Sequence, residues 1–187
     1  MNNDLMFSSQ DNEHYTPLDF LLRVFEFSEG IDLDPCSNSL ESPNVPATVH
    51  YVEALDGLSL PWFGRVWLNP PYGRSLSKWV AKAIEEYESK RVTEVYILVP
   101  ARTDTQWHKT LDSYTRCYLT GRLKFQNPAN GGNSAPFPSV LFFLGKKNNE
   151  FKSYWSKHGL VNIPIKTSFD RNAYQKEYMR QRRAKEV

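Results

Sequence analysis

Val66-Trp67-Leu68-Asn69-Pro70-Pro71-Tyr72-Gly73 is the stretch from which the rest of the chain can be read. Arg65 to Leu68 has strand character, and the two prolines after it lack the N–H that would let a strand or helix continue. Ser75 then stands as a helix cap before Leu76, Trp79, Val80, Ala83, Ile84 and Tyr87, which recur at the spacing of one apolar helical stripe. A strand, a stiff corner and a helix therefore follow one another within about 25 residues.

The same alternation extends in both directions. Upstream, Thr16-Pro17 reads as a cap followed by proline in the first turn, with Leu18, Leu21, Leu22 and Phe25 on one face until Gly30. Ile31 to Asp34 is a short buried strand ending at Pro35, and Thr48 to Val52 is a second one. Downstream, Val95 to Val99 is a continuous apolar strand ended by Pro100. A short helix near Trp107 to Leu111 and a strand near Cys117 to Leu119 come next. Arg122 to Phe125 and Ser139 to Leu144 read as antiparallel partners across a loop rich in Asn, Gly and Pro. The expected fold class is α/β, with a mainly parallel sheet and a C-terminal antiparallel hairpin. In such sheets ligands bind beyond the carboxyl ends of the strands. Asp34-Pro35, Asn69 to Tyr72 and Pro100-Ala101-Arg102 all fall there.

Composition narrows the class further. A chain of 187 residues, 40% hydrophobic and 24% charged, suits one globular domain. No apolar run is long enough to span a bilayer, and Met1 to Gln10 lacks the pattern of a secretory signal, so a cytoplasmic protein without a membrane partner is expected. Cys36 and Cys117 match no disulfide framework or zinc pattern, which implies reduced thiols and no metal. The net charge of +2 is unevenly spread. Residues 146–187 carry eleven Lys and Arg against four Asp and Glu, leaving twelve against seventeen in residues 1–145. A domain over 1–145 with a basic extension over 146–187, packing on it or trailing from it, is the expected organisation. The extension fits either a polyanion partner or a solvated terminal helix.

Asn69 to Tyr72 offers a specific chemistry. An exocyclic amino group on a nucleobase is a weak nucleophile because its lone pair is delocalised into the ring. Two acceptors for its hydrogens favour a pyramidal nitrogen with an available lone pair. The Asn69 side-chain oxygen and the Pro70 carbonyl, held in a corner stiffened by Pro71, can supply them, and Tyr72 a flat face for an unstacked base. The same residues also make a double-proline turn with a packed aromatic. Their place between a strand and a capped helix favours the site.

The run from Val66 to Gly73 resembles the catalytic motif of amino-group DNA methyltransferases. More narrowly, the chain is similar to the small phage-type DNA N-6-adenine methyltransferases of the Dam family. The segments His14-Tyr15-Thr16-Pro17, Asp32-Leu33-Asp34-Pro35, Val99 to Thr105, Gly121 to Phe125 and Ala135 to Ser139 occur in matching order. The resemblance implies a Rossmann-like fold, S-adenosylmethionine as cofactor and double-stranded DNA as partner. It implies methyl transfer to the amino group of a flipped adenine, with Asn69, Pro70, Pro71 and Tyr72 catalytic. Thr16 and Pro17 would close over the methionine portion of the cofactor, and Asp34 would meet its ammonium group. Pro35, Ser37, Asp56 and Asn69 would complete the pocket, with Glu53 behind Asp56. Arg102, Asp104, Arg122, Lys124 and Phe137 would face DNA, aided by the tail around Arg180 to Lys185.

Each assignment has a plainer counterpart. Thr16 also fits a helix cap, Asp34 a turn, Asp56 a loop carboxylate, and Arg102 with Asp104 a loop salt bridge. His108 fits a structural histidine. The glycine-rich loop usual after the first strand is replaced by Pro35-Cys36-Ser37-Asn38-Ser39. A motif for planar amino groups also suits cytosine N4 or a protein glutamine, and the glycine-free loop admits a non-catalytic nucleic-acid binder. The roles compatible with the resemblance are phage protection, support of a restriction partner and marking of the host chromosome.

Overall fold

A computed structural model describes residues 15–125 and 133–164 of the chain. The elements are α1 (Leu18–Ser28), β1 (Leu33–Asp34), β2 (Val49–His50), β3 (Gly64–Leu68), α2 (Leu76–Glu88), β4 (Val92–Pro100), α3 (Gln106–Thr110), β5 (Thr115–Leu119), β6 (Lys124–Phe125), β7 (Asn133–Ser134), β8 (Ser139–Leu144), α4 (Asn148–Trp155) and β9 (Gly159–Asn162). Seven strands form one sheet in the order β2-β1-β3-β4-β8-β5-β9. Strands β2, β1, β3 and β4 pair in parallel, whereas β8 runs against β4 and β5, and β9 against β5. The mixed α/β class and the antiparallel C-terminal part follow the sequence expectation.

Alternation along the central strands builds two cores. Val66 and Leu68 of β3, Val95, Ile97 and Val99 of β4, and Val140, Phe142 and Leu144 of β8 pack on the face that carries α2. Trp67, Tyr96, Leu98, Leu141 and Phe143 point to the opposite face, against Phe20, Leu21 and Val24 of α1 and Phe151 and Trp155 of α4. Successive strand residues face opposite sides, so a strand covered on both sides reads as an unbroken apolar run. That is the character of Val95 to Val99. Helix α4 and strand β9, both beyond residue 145, belong to this same sheet and core. Residues 165–187, including the basic tail, lie outside the described residues, as do 1–14 and 126–132.

Three local expectations need correction. Ser139 to Leu144 does not pair with Arg122 to Phe125. Strand β8 lies between β4 and β5, while Lys124–Phe125 pairs with Asn133–Ser134. All six residues of β8 are buried, and a strand buried on both faces needs a partner on each edge for its backbone donors and acceptors. A two-residue strand cannot provide that. In α1 the buried residues are Phe20, Leu21, Val24 and Ser28, while Leu18 and Leu22 are exposed. The helix is apolar over much of its circumference, and the rings of Trp67 and Trp155, 6.3 and 5.6 Å from Phe20, select the face. Finally, Thr16 does not cap α1, whose N-cap is Pro17; Ser75 is the N-cap of α2 as expected, though without a side-chain capping bond.

Candidate active site

The carboxyl ends of the parallel strands form one rim of the sheet. β1 ends at Asp34, β2 at His50 and β3 at Leu68, and the segments that leave them converge on a cavity of about 430 Å³. Asp34, Pro35, Cys36 and Ser37 line it from the first loop, Glu53, Asp56 and Gly57 from the second, and Asn69, Pro70 and Pro71 from the third. Thr16 reaches it from the segment before α1, and Trp79 from α2. The volume lies in the range of small-molecule sites.

Asp34 is the floor of this cavity and is 3% exposed. Its Oδ1 accepts from the Cys36 backbone N–H at 3.2 Å. Burial raises its pKa to about 7, against smaller lowering contributions from the Cys36 amide and the Ser37 hydroxyl. No Lys or Arg pairs with it among the described residues. A carboxylate left like this is costly to ionise and is well placed to receive a cation.

Asn69 follows β3 directly. Its Nδ2 donates to Thr16 Oγ1 at 3.1 Å, and its Oδ1 accepts from the Tyr72 hydroxyl at 2.7 Å. The Cys36 thiol reaches the Asn69 carbonyl at 3.4 Å, and burial, then the charge of Asp34, pushes that thiol well above its ordinary pKa. Pro70 is buried, and no donor among the described residues reaches its carbonyl. Tyr72 does not line the cavity. Its ring stands nearly perpendicular to Phe125 and Phe137, with centroids 6.2 and 5.5 Å away, so in this state it is packed among aromatics rather than presented as an open plate.

The remaining candidates separate into two groups. Ser37, Glu53 and Asp56 line the cavity, Ser37 buried and the two carboxylates exposed. Pro17 is buried at the start of α1 and does not line it. Arg102, Asp104, Arg122 and Lys124 are exposed and lie outside the cavity. Arg102 and Asp104 make no ion pair with each other among the described residues. The Arg102 backbone instead turns, its N–H donating to Pro100 O at 2.8 Å and its carbonyl accepting from Thr105 Oγ1 at 2.8 Å. The Ala101 amide donates to Pro138 O, and the Ala135 amide to Leu123 O, both at 2.8 Å. These bonds tie the Arg102, Arg122–Lys124 and Phe137 segments together beside the ends of β4 and β5. His108 is buried against Tyr118 and Phe142, away from the cavity.

Two participants are not evident in the sequence. Gly57 supplies the close approach that the glycine-free loop after β1 does not, since a Cβ there would stand 1.9 Å from Pro35 O. The Asp56-Gly57 pair in the sequence signals a turn and nothing more. Asn44 lines the cavity and donates from Nδ2 to Thr16 O at 3.0 Å, from a polar loop in which the sequence singles out Ser37 but not Asn44.

A family model described as DNA N-6-adenine-methyltransferase (Dam) matches residues 7–167. No curated protein matches the chain. The match extends past β9, so it covers the strand-end loops that build the cavity as well as the antiparallel part of the sheet. The chain belongs to the Dam family of DNA N-6-adenine methyltransferases.

Proposed function

We propose that this DNA adenine-N6 methyltransferase is a Rossmann-like enzyme that uses S-adenosylmethionine and acts on an adenine flipped out of double-stranded DNA. The observation that carries the reading is the junction of Asn69 and Pro70 with a cavity that holds the buried Asp34 carboxyl, which has no cationic partner among the described residues. Asp34 fits the ammonium of an amino-acid moiety, because a cation there offsets the desolvation that now holds its pKa near 7. Pro35, Ser37 and Thr16 would line the same end, and Glu53 and Asp56, exposed at the mouth, would meet the nucleoside portion. When bound, S-adenosylmethionine supplies an electrophilic methyl group.

The chain's own residues deal with the adenine. Asn69 Oδ1 and the Pro70 carbonyl accept the two amino hydrogens, drawing the nitrogen lone pair out of conjugation. The amino hydrogen takes the position at Oδ1 that the Tyr72 hydroxyl holds in this state, and the released Tyr72 ring stacks on the base. The methylated nitrogen is acidic and sheds its proton without a strong base. Positioning and exclusion of water are the main contributions to rate. Arg102, Arg122 and Lys124 attract the phosphate backbone, with Asp104 at the edge of that surface and Phe137 beside the base pocket. Recognition of a particular DNA site would arise on this exposed rim.

No helix of the described residues is long and apolar enough to cross a membrane, and a cytoplasmic location suits a DNA-modifying enzyme. The test is incubation of purified protein with duplex DNA and methyl-labelled S-adenosylmethionine, followed by nucleoside analysis. Label in N6-methyladenine, lost in Asn69→Ala, is expected. Label in cytosine or polypeptide, or equal labelling by Asn69→Ala, refutes the mechanism.

A further inference from the structure

The Asn69 carboxamide serves an amino substrate only one way round. Its oxygen accepts N–H donors, whereas its NH2 end would meet the substrate donor to donor, and the two ends have nearly the same shape. Packing alone does not distinguish them. Hydrogen bonding must.

Here the two ends of the amide are held by different residues. Nδ2 donates to Thr16 Oγ1 at 3.1 Å, and Oδ1 accepts from the Tyr72 hydroxyl at 2.7 Å. Thr16 is 1% exposed, and its own carbonyl is held by Asn44 Nδ2 at 3.0 Å. A threonine before proline at the start of a helix ordinarily spends its hydroxyl on capping. Helix α1 has no such bond, and the hydroxyl is directed at Asn69 instead.

We propose that Thr16 is a positioning residue, whose hydroxyl holds the Asn69 nitrogen and thereby turns the Asn69 oxygen toward the substrate amino group. The inference rests on the reading of Asn69 as an acceptor for that group. It gives Thr16 a role distinct from touching the cofactor, and joins the segment before α1 to the corner after β3. The Tyr72 hydroxyl occupies the oxygen until the base replaces it. The Thr16 bond persists throughout and preserves the orientation.

A hydroxyl can serve either end of an amide, so the experiment must read orientation as well as rate. In nitrogen-15-labelled, DNA-free protein, the Asn69 side-chain NH2 pair is assigned by its loss in Asn69→Ser. The proton of that pair bonded to Thr16 is expected to exchange slowly in wild type and in Thr16→Ser, and faster in Thr16→Val. In kinetics, Thr16→Val should lower kcat about tenfold, the effect of one hydrogen bond to a poised group. Its affinity for S-adenosylmethionine, titrated without DNA, should fall by a smaller factor than kcat does, and Thr16→Ser should recover most of kcat. Weakened cofactor binding with kcat intact would make Thr16 a cofactor contact alone and overturn the proposal. Thr16→Ser as impaired as Thr16→Val would reduce it to packing, with the same consequence. Should Thr16→Val fail to fold, the wild-type and Thr16→Ser amide signals decide, and a rapidly exchanging pair in both overturns it. Wild-type protein inactive on DNA would remove the functional reading, while the amide signals would still report whether Thr16 holds Asn69.

Discussion

The rim of the sheet has two halves that differ in kind. Over β1, β2 and β3 it forms a cavity whose inner polar groups are buried or half-buried and bonded to one another, Asp34 to the Cys36 amide, Asn69 to Thr16 and Tyr72, Asn44 to Thr16, while Glu53 and Asp56 are exposed. Beside β4 and β5 its charged side chains, Arg102, Asp104, Arg122 and Lys124, are exposed, and the order there comes from backbone bonds between neighbouring loops. A small molecule is recognised by a few fixed polar groups in a cavity, and a polyanion by cations that act through water over several ångströms. The contrast teaches that one protein edge can hold a precise half and a tolerant half. Tyr72, between Asn69 and the Phe125–Phe137 pair, stands at the border.

If that contrast is right, substitutions in the concave half should cost far more than those in the open half. The largest effect is expected for Asn69→Ala, which should reduce methyl transfer on the order of 100- to 1,000-fold, in line with removal of one preorganised hydrogen-bonding group. Its thermal midpoint should fall only modestly, by the loss of the bonds to Thr16 and Tyr72. Activity retained within a factor of a few would end the comparison at once.

Asp34 should give the next effect, and one with a pH signature. A folded acid whose pKa is raised holds its proton more tightly than the unfolded chain does. The contribution of Asp34 to the stability of the ligand-free protein should therefore be greatest below the ordinary aspartate pKa and be lost as pH rises to about 7, and it is read as the difference between wild type and Asp34→Asn. Affinity for S-adenosylmethionine should move the opposite way, weakening about tenfold per pH unit below 7, since the ammonium pairs with the ionised form. Asp34→Asn should weaken binding and flatten both profiles. Calorimetric titration and thermal melts between pH 5 and pH 8 would read them, and a wild-type affinity independent of pH contradicts the assignment.

Gly57→Ala tests shape rather than charge. Its new methyl would collide with the Pro35 carbonyl, so a loss of roughly 1–3 kcal/mol in stability together with weaker cofactor binding is expected from denaturation and titration. An alanine tolerated without cost would show that the two loops separate freely.

The smallest effects belong to the open half. Arg122→Gln or Lys124→Gln should weaken DNA binding about threefold to tenfold at moderate salt and reduce the log–log salt slope by about one each. Cofactor affinity should be untouched. A collapse of cofactor binding in either variant would mean that the two halves are not separate.

The residues show why the sequence is informative in some places and mute in others. Val95 to Val99 and the stripe from Leu76 to Tyr87 are legible because a strand buried on both faces and a helix with one apolar face leave different periodicities. The corner at Asn69 to Tyr72 is legible because two consecutive prolines lack the N–H that would let the strand continue. The partner of β8, the buried face of α1 and the destination of the Thr16 hydroxyl are not legible. Each depends on groups distant in the chain: β4 and β5 on either side of β8, Trp67 and Trp155 against Phe20, and Asn69 opposite Thr16.

By itself the sequence determined the alternation of strands and helices, the rigid corner at Asn69-Pro70-Pro71 and the family resemblance, since all three are written in residues close together. Only the tertiary structure decided that Gly57 opens the way to the loop after β1, that Asp34 is buried with no counter-charge among the described residues, and that Thr16 and Asn69 are hydrogen-bonded. Those outcomes depend on the distances and solvent exclusion created when separate segments pack, and neither quantity exists in the chain before it folds.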